Sequence, residues 1–158
     1  MEAGVASSKA ITVTVNGVEY ERDVEARKLL IHFVRDDLDL TGSHIGCDTG
    51  NCGACSMIVD GQLVKSCMLL AVQADGSTIE TVEGLADGGE LTKLQQSFSD
   101  HHALQCGYCT PGMLMSATAL LREHPSPTDE QVKKALQGNI CRCTGYWNIF
   151  EAVKAASA

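Results

Sequence analysis

Aromatic side chains are scarce in this chain: they make up 4% of its 158 residues, and only one of them is a tryptophan. Hydrophobic residues nevertheless reach 44%, so the chain can bury real cores, and those cores must be mainly aliphatic. Cationic residues are also few, because 12 lysines and arginines stand against 20 aspartates and glutamates. The resulting net charge of −8 argues against nucleic acid as a partner.

Long apolar runs are missing as well. No stretch approaches the roughly 18 consecutive apolar residues of a transmembrane helix, so we expect no membrane span. The opening MEAGVASSKA has no basic segment, no apolar run and no arginine pair, so we expect no export signal. The eight cysteines then indicate metal-bound thiolates in a reducing compartment rather than disulfides. We therefore expect a cytoplasmic protein.

Four of the cysteines fall in one stretch, GCDTGNCGACSMIVDGQLVKSC, which begins at Gly46. Cys47, Cys52 and Cys55 have the spacing C-x4-C-x2-C, and Cys67 follows after a short excursion. This is the plant-type ferredoxin spacing for a [2Fe–2S] cluster. A zinc knuckle fits poorly, because structural zinc sites usually show two short Cys or His pairs.

The glycines of this stretch suit such a loop. Gly46, Gly50 and Gly53 have no Cβ and adopt positive φ at little cost, so the chain can fold tightly around a cluster. Their backbone N–H groups are then free to point at sulfur, which is one of the influences on reduction potential.

The elements around the loop predict a β-grasp domain. Strands are expected over residues 11–15 and 18–24, joined by the Asn16-Gly17 turn. An amphipathic helix is expected over 28–38. A hairpin around Asp60-Gly61 leads to Cys67. A short helical turn and a strand over 77–82 follow. Residues 1–8 are predicted to form a loose tail. His32 and His44 are expected to be ordinary surface or partly packed residues, because four cysteines already complete the metal site.

A second quartet lies in the other half of the chain: Cys106 and Cys109, then Cys141 and Cys143. Each pair falls between two predicted helices, and two antiparallel helix pairs would bring both loops to one end of a small bundle. A second [2Fe–2S] cluster is favoured over zinc, although C-x-C is unusual for either. A redox dithiol at the first pair is a third option, but no βαβ context surrounds it.

The predicted organisation is α+β. A ferredoxin-like [2Fe–2S] domain over residues 9–83 is followed by a Gly/Asp-rich linker over 84–90. A four-helix-bundle [2Fe–2S]-binding domain covers 91–158. Within it, Pro111 suits a first helical turn and Thr128 suits an N-cap.

Both quartets together carry a family resemblance. GCDTGNCGACSMIVDG, QCGYCTPGM and GNICRCTGY resemble the iron–sulfur subunit of the molybdenum hydroxylases, the xanthine oxidase family, over roughly the span from Ile11 to Ala152. HIGCDTGNCGACSMIVDG and VKSCMLLAVQADG look most like the small subunit of aerobic carbon monoxide dehydrogenase. The resemblance therefore implies oxidation of carbon monoxide to carbon dioxide by the assembled enzyme. An aldehyde or a nitrogen heterocycle is the alternative substrate.

The resemblance also implies roles for single residues. The cluster remote from molybdenum is held by Cys47, Cys52, Cys55 and Cys67. The near cluster is held by Cys106, Cys109, Cys141 and Cys143. Gln105 and Cys143 lie beside the pterin of the molybdopterin cofactor. Trp147, where such subunits often carry a polar residue, is expected to be packed or at an interface.

The same resemblance implies partners. Molybdopterin belongs to a large subunit and FAD to a medium subunit, in a dimer of heterotrimers that can associate with the inner face of the membrane. Electrons run from molybdenum through the near and remote clusters to FAD, and this chain has no active site of its own. Two other functions stay open: a free-standing two-cluster ferredoxin and a structural zinc-binding adaptor.

Overall fold

The computed structural model describes residues 7–86 and 88–157. The strands are β1 (Ser8–Val15), β2 (Val18–Glu25), β3 (Ser56–Val59), β4 (Gln62–Lys65) and β5 (Thr78–Glu80). The helices are α1 (Leu30–His32), α2 (Lys93–Asp100), α3 (Thr110–Glu123), α4 (Asp129–Leu136) and α5 (Trp147–Ser157). Most of the tail predicted over 1–8 lies outside the described residues, and its last residue already belongs to β1.

The five strands form one mixed sheet in the order β2-β1-β5-β3-β4. β1 and β5 are parallel, with Val15 opposite Ile79, and the other neighbouring pairs are antiparallel. Asn16 and Gly17 both have positive φ, as the predicted two-residue turn requires. A ferredoxin-like sheet followed by four longer helices confirms the predicted α+β class.

The helix that crosses the sheet differs from the prediction. α1 begins at Leu30, because the carbonyl of Lys28 accepts a hydrogen bond from the N–H of Ala71 (2.8 Å) and Leu29 pairs with Leu70 in an isolated bridge. After one turn the chain becomes a π-helix over Phe33–Asp37. At its end the N–H of Leu38 donates a hydrogen bond to the carbonyl of Phe33 (3.3 Å). The prediction of a regular helix over 28–38 was therefore wrong in length and in type.

Two aliphatic cores lie side by side. The first joins the inner face of the sheet to α1, with Ile11, Val13, Phe33 and Ile79 at 1% exposure or less. The second lies among α2, α3, α4 and α5. Every residue of β3 is buried, because α3 packs against the opposite face of this strand and leaves no side of it in water.

The connection between the two halves is partly packed. A 3₁₀ turn covers Val82–Gly84, and Val82 and Leu85 pack against the helical core. Asp87, inside the predicted linker, and Ala158 lie outside the described residues. The boundaries at 84 and 91 stay predictions. Within the described residues, no helix has both the length and the apolar composition to cross a bilayer.

Candidate metal centres

The first quartet is organised by backbone N–H groups. Those of Thr49, Asn51 and Cys52 point at the sulfur of Cys47, at 3.5, 3.3 and 3.3 Å. The N–H of Gly50 points at the sulfur of Cys67, at 3.3 Å. The hydrogen bond from Cys52, with further ones from Thr49, lowers the pKa of Cys47 to about 6. This sulfur is therefore held ready as a thiolate, the form that binds iron.

The three glycines of the loop act in two ways. Gly50 and Gly53 have φ of +75° and +74°, the conformation for which glycine was predicted. Gly46 has an ordinary φ and is needed for space instead, because a Cβ there would lie 2.8 Å from the sulfur of Cys52. The prediction of positive φ was right for the first two and wrong for the third.

Two of the other thiols of this quartet face inward, and Cys52 is half-buried. Cys55 ends the loop beside β3, and Cys67 lies in a 3₁₀ turn after β4; both are buried. Burial, together with the side chain of Cys55, raises the pKa of Cys67 to about 11. A buried thiol of this kind becomes a thiolate when a cation takes the place of its proton.

The second quartet lies where two loops meet at the ends of helices. Cys106 and Cys109 precede α3, and Cys141 and Cys143 precede α5. The sulfurs of Cys143 and Cys106 are 3.4 Å apart. The bundle thus brings both pairs to one place.

The thiols of this quartet also differ among themselves. The backbone N–H of Tyr108 lowers the pKa of Cys106, and the side chain of Cys106 raises that of Cys143. Burial raises the pKa of Cys109 to about 12. Burial also acts to raise the pKa of Cys141, but hydrogen bonds from Thr144, Cys143 and Cys109 together outweigh it and leave this pKa lowered.

Two buried polar atoms that are close to these cysteines in the sequence lack a partner among the described residues. They are the Oγ1 of Thr110, next to Cys109, and the Nδ2 of Asn139, two residues before Cys141. Buried donors of this kind are rare in native structures. The four thiols that the two loops bring together are the donor set that a [2Fe–2S] cluster takes, so the residues present fit such a cluster. Among the described residues, no three His, Cys, Asp or Glu side chains surround a point that could hold a single metal ion.

The two cysteine sites touch through backbone. The N–H of Ile140 donates to the carbonyl of Cys52 at 2.8 Å. A Cβ at Gly53 would lie 2.4 Å from the carbonyl oxygen of Gly138, and one at Gly112 would lie 2.1 Å from that of Gly53. Sequence reasoning missed Gly112, although a glycine in the first turn of a long helix is a signal of close approach.

A second contact joins the sites through side chains. The Nδ1 of His44 is 2.8 Å from the carbonyl oxygen of Tyr108, and the two rings stack with centroids 4.6 Å apart. The hydroxyl of Tyr108 donates to the carbonyl of Ile45 at 2.7 Å. His44 was predicted to be ordinary, and no local pattern links it to a tyrosine 64 residues away.

Exposed apolar side chains flank the second quartet in the sequence. Cys106 and Cys143 are exposed, as is Gln105. Five large hydrophobic residues near these cysteines in the sequence are at least 40% exposed: Leu104, Tyr108, Ile140, Tyr146 and Trp147. We call these five residues the apolar collar. Trp147, predicted to be packed or at an interface, is 67% exposed and stacks on Phe150 with centroids 5.9 Å apart.

Comparison with known proteins accounts for both halves. Residues 13–92 match the family model of the 2Fe-2S iron-sulfur cluster binding domain, and residues 81–154 match that of the [2Fe-2S] binding domain. The nicotine 6-hydroxylase small subunit of Paenarthrobacter nicotinovorans is 55% identical over 90% of this chain and 86% of its own length. The caffeine dehydrogenase subunit gamma of Pseudomonas sp. (strain CBB1) is 49% identical over 96% and 92%.

A solved structure agrees with these matches. Quinoline 2-oxidoreductase from Pseudomonas putida 86 contains a chain with a TM-score of 0.92 and 47% identity, over 95% of this chain and 94% of that one. Sequence, domain order and fold therefore point to one group of proteins. The chain belongs to the iron–sulfur, or small, subunits of the molybdenum hydroxylase family and consists of two [2Fe–2S]-binding domains in tandem.

Proposed function

We propose that this chain carries electrons from a molybdopterin site on a large subunit to FAD on a medium subunit, through two [2Fe–2S] clusters. Cys47, Cys52, Cys55 and Cys67 hold the remote cluster. Cys106, Cys109, Cys141 and Cys143 hold the near cluster. The observation that carries this proposal is that two thiol quartets, each in its own domain, meet through a direct backbone hydrogen bond.

That hydrogen bond supports an internal relay. It runs from the N–H of Ile140, the residue before Cys141, to the carbonyl of Cys52 at 2.8 Å. Ligands of both clusters are thereby separated by a few covalent bonds and one hydrogen bond. Each cluster takes up and releases one electron, and the residues of this chain bind the clusters and fix their separation.

The apolar collar supports the direction of the relay. Cys106 and Cys143 are exposed within it, whereas Cys55 and Cys67 of the other quartet are buried. Exposed apolar surface of this kind marks an interface with a partner. The large subunit covers the collar, excludes water from the near cluster and brings the pterin against Gln105 and Cys143.

The names of the relatives support a substrate class. Caffeine, nicotine and quinoline, which appear in the names of the three proteins above, are all nitrogen heterocycles. The assembled enzyme accordingly hydroxylates such a ring, which was the alternative in the sequence reading. Oxidation of carbon monoxide stays a prediction of the sequence resemblance.

The assembly and its location follow from the same proposal. A large and a medium subunit join this chain in a heterotrimer that pairs into a dimer. All eight cysteines are free thiols, the state that a reducing compartment maintains, so we place the enzyme in the cytoplasm.

Purification of the tagged chain from its native host, without oxygen, tests the proposal. We expect two larger chains, molybdenum and flavin in the complex, and about four irons and four labile sulfides per copy of this chain. A chain that comes alone with both clusters would instead be a free-standing ferredoxin. Stoichiometric zinc in place of iron would support a structural adaptor, and either result would overturn the proposal.

A further inference from the structure

Tyr108 lies between two ligands of the near cluster and uses all of its polar groups. Its N–H faces the sulfur of Cys106. Its carbonyl oxygen is 2.8 Å from the Nδ1 of His44, and its hydroxyl donates to the carbonyl of Ile45 at 2.7 Å. One residue thus connects a near-cluster ligand with the segment that leads into Cys47.

His44 is fixed from both sides. Since a carbonyl oxygen can only accept, the Nδ1 of His44 carries the hydrogen that it shares with Tyr108. The N–H of His44 donates to the carbonyl of Ala54 at 3.3 Å, next to Cys55. The imidazole also stacks on the phenol ring at an interplanar angle of 25°. The remote-cluster loop therefore presents a held side chain to the near-cluster loop.

Core packing does not explain this contact. Tyr108 is 50% exposed, and hydrogen bonds at such a site add little net stability. The backbone contact of Ile140 with Cys52 restrains one pair of ligand segments, whereas Tyr108 restrains a different pair, next to Cys106 and Cys47. The packing of α3 against β3 and the hydrogen bonds from Arg122 to Glu80 already hold the two domains together elsewhere, so Tyr108 and His44 act on the cluster loops rather than on the domains as whole bodies.

We propose that Tyr108 and His44 form an interdomain clamp that positions the two cluster loops for electron transfer between the clusters. The proposal rests on the function proposed above. In the step concerned, the near cluster is oxidised by one electron and the remote cluster is reduced by one, and no bond is made or broken. Such transfer weakens steeply with separation, so a loosened clamp slows this step without touching the reaction at molybdenum.

Three variants of the holoenzyme separate the parts of the clamp. Tyr108→Phe removes the bond to Ile45 and keeps the ring. His44→Phe removes the bond to the Tyr108 carbonyl and keeps an aromatic ring for stacking. Tyr108→Ala removes the ring and the hydroxyl together. Tyr20→Phe, in the outer strand β2, is the matched control.

Hydrogen exchange of the two cluster loops is the first measurement. Loss of one net hydrogen bond corresponds to about a fivefold increase in loop opening, so we expect this increase in each Phe variant of the clamp. Tyr108→Ala should exceed both, because stacking is lost as well. Tyr20→Phe should leave the loops unchanged.

Paramagnetic resonance of the fully reduced enzyme is the second measurement, because the magnetic interaction between the clusters depends on their separation and orientation. We expect the splitting to broaden in His44→Phe and more strongly in Tyr108→Ala, and to be largely restored in Tyr108→Phe. In His44→Phe, iron content and reduction of the near cluster by substrate should stay within twofold of the wild type, because His44 lies outside the apolar collar. An unchanged splitting and unchanged loop exchange in Tyr108→Ala would overturn the clamp. If the wild-type enzyme itself lacked two cluster signals, the proposed function would fail, which is a different result.

Discussion

The two cysteine sites are built in opposite ways. In the first, three thiols come from one short loop, whose own N–H groups surround the sulfur of Cys47. In the second, the thiols come in pairs from two distant loops that the helix bundle brings together. The first site buries Cys55 and Cys67, whereas the second leaves Cys106 and Cys143 exposed inside the apolar collar.

This difference bears on the two interfaces of the proposed assembly. A site that the local backbone encloses is largely complete by itself. A site at the ends of helices, with an apolar surface around it, is completed by whatever covers that surface. In the proposed relay an electron passes from the open site to the enclosed one, so the contact between the sites matters as much as either of them.

The largest effect should come from Gly112→Ala, which forces the two regions apart. A Cβ at this position would lie 2.1 Å from the carbonyl oxygen of Gly53, and backbone cannot move aside as a flexible side chain can. Overpacking costs about 1–3 kcal/mol and occasionally more, and here it acts on both domains. We expect a clear fall in the melting temperature and loss of iron from both sites.

Gly138→Ala is the control for this change. Its Cβ would meet only the end of Lys65, at 3.6 Å, so the melting temperature should move little. Equal melting temperatures for the two variants would show that the glycine contact does not hold the domains together.

Substitution of a cysteine ligand in either quartet should affect one cluster and spare the other, with a loss of about half of the iron in each case. Cys47→Ser is expected to damage the remote cluster and to spare the near one. Cys143→Ser is expected to do the reverse, because a serine oxygen is a harder and less polarisable ligand for iron. Iron analysis and paramagnetic resonance of both variants check this, and each variant is the control for the other. Loss of the same signal in both would contradict the assignment of two separate quartets.

Trp147→Ala should weaken the open site's contact with its partner. Trp147 is 67% exposed in the isolated chain, and an aromatic anchor at the centre of an interface is worth about 2 kcal/mol or more, roughly a 30-fold change in affinity. Subunit exchange or titration of the complex measures this. Val18→Ala, at a residue 53% exposed in the other domain, is the control. Equal affinities for the two variants would place the interface elsewhere.

The smallest effect should come from the ion pair between the domains. Arg122 donates two hydrogen bonds to Glu80, both at 2.7 Å, and they hold the pKa of this carboxyl below its usual value of 4.5. The pair is partly exposed, so Glu80→Gln should cost at most about 1 kcal/mol of unfolding free energy.

The pH dependence of this pair has a definite sign. Because the folded pKa of Glu80 is lowered, its stabilisation is fully present above pH 4.5 and is lost as the pH falls through the folded value. Denaturant unfolding should therefore separate wild type from Glu80→Gln near neutral pH and bring them together in acid. A difference that grows in acid would contradict this account.

Local chemistry explains what the sequence predicted well. The Asn16-Gly17 and Asp60-Gly61 turns and the Thr128 cap depend on neighbouring residues, and the structure contains all three. The cysteine spacings gave the two cluster-binding domains for the same reason, since each pair of close cysteines shares one loop.

Long-range contacts explain what was missed. The late start of α1, at Leu30 instead of residue 28, depends on Ala71 and Leu70, which no helical periodicity includes. The clamp pairs His44 with Tyr108, and Gly112 is selected by the backbone of Gly53. These features depend on how distant segments of the chain meet, and the sequence pattern around each residue contains no information about that.

The order in which the two clusters are reduced decides the proposed direction of electron transfer. The holoenzyme is mixed rapidly with its substrate and frozen at successive times, and the two cluster signals are followed separately by their different relaxation. We predict that the near cluster is reduced first and the remote cluster second, and that Cys47→Ser leaves the first step intact. If Cys47→Ser blocks reduction of the near cluster while Cys143→Ser does not, the electrons run the other way and the assignments of near and remote must be exchanged.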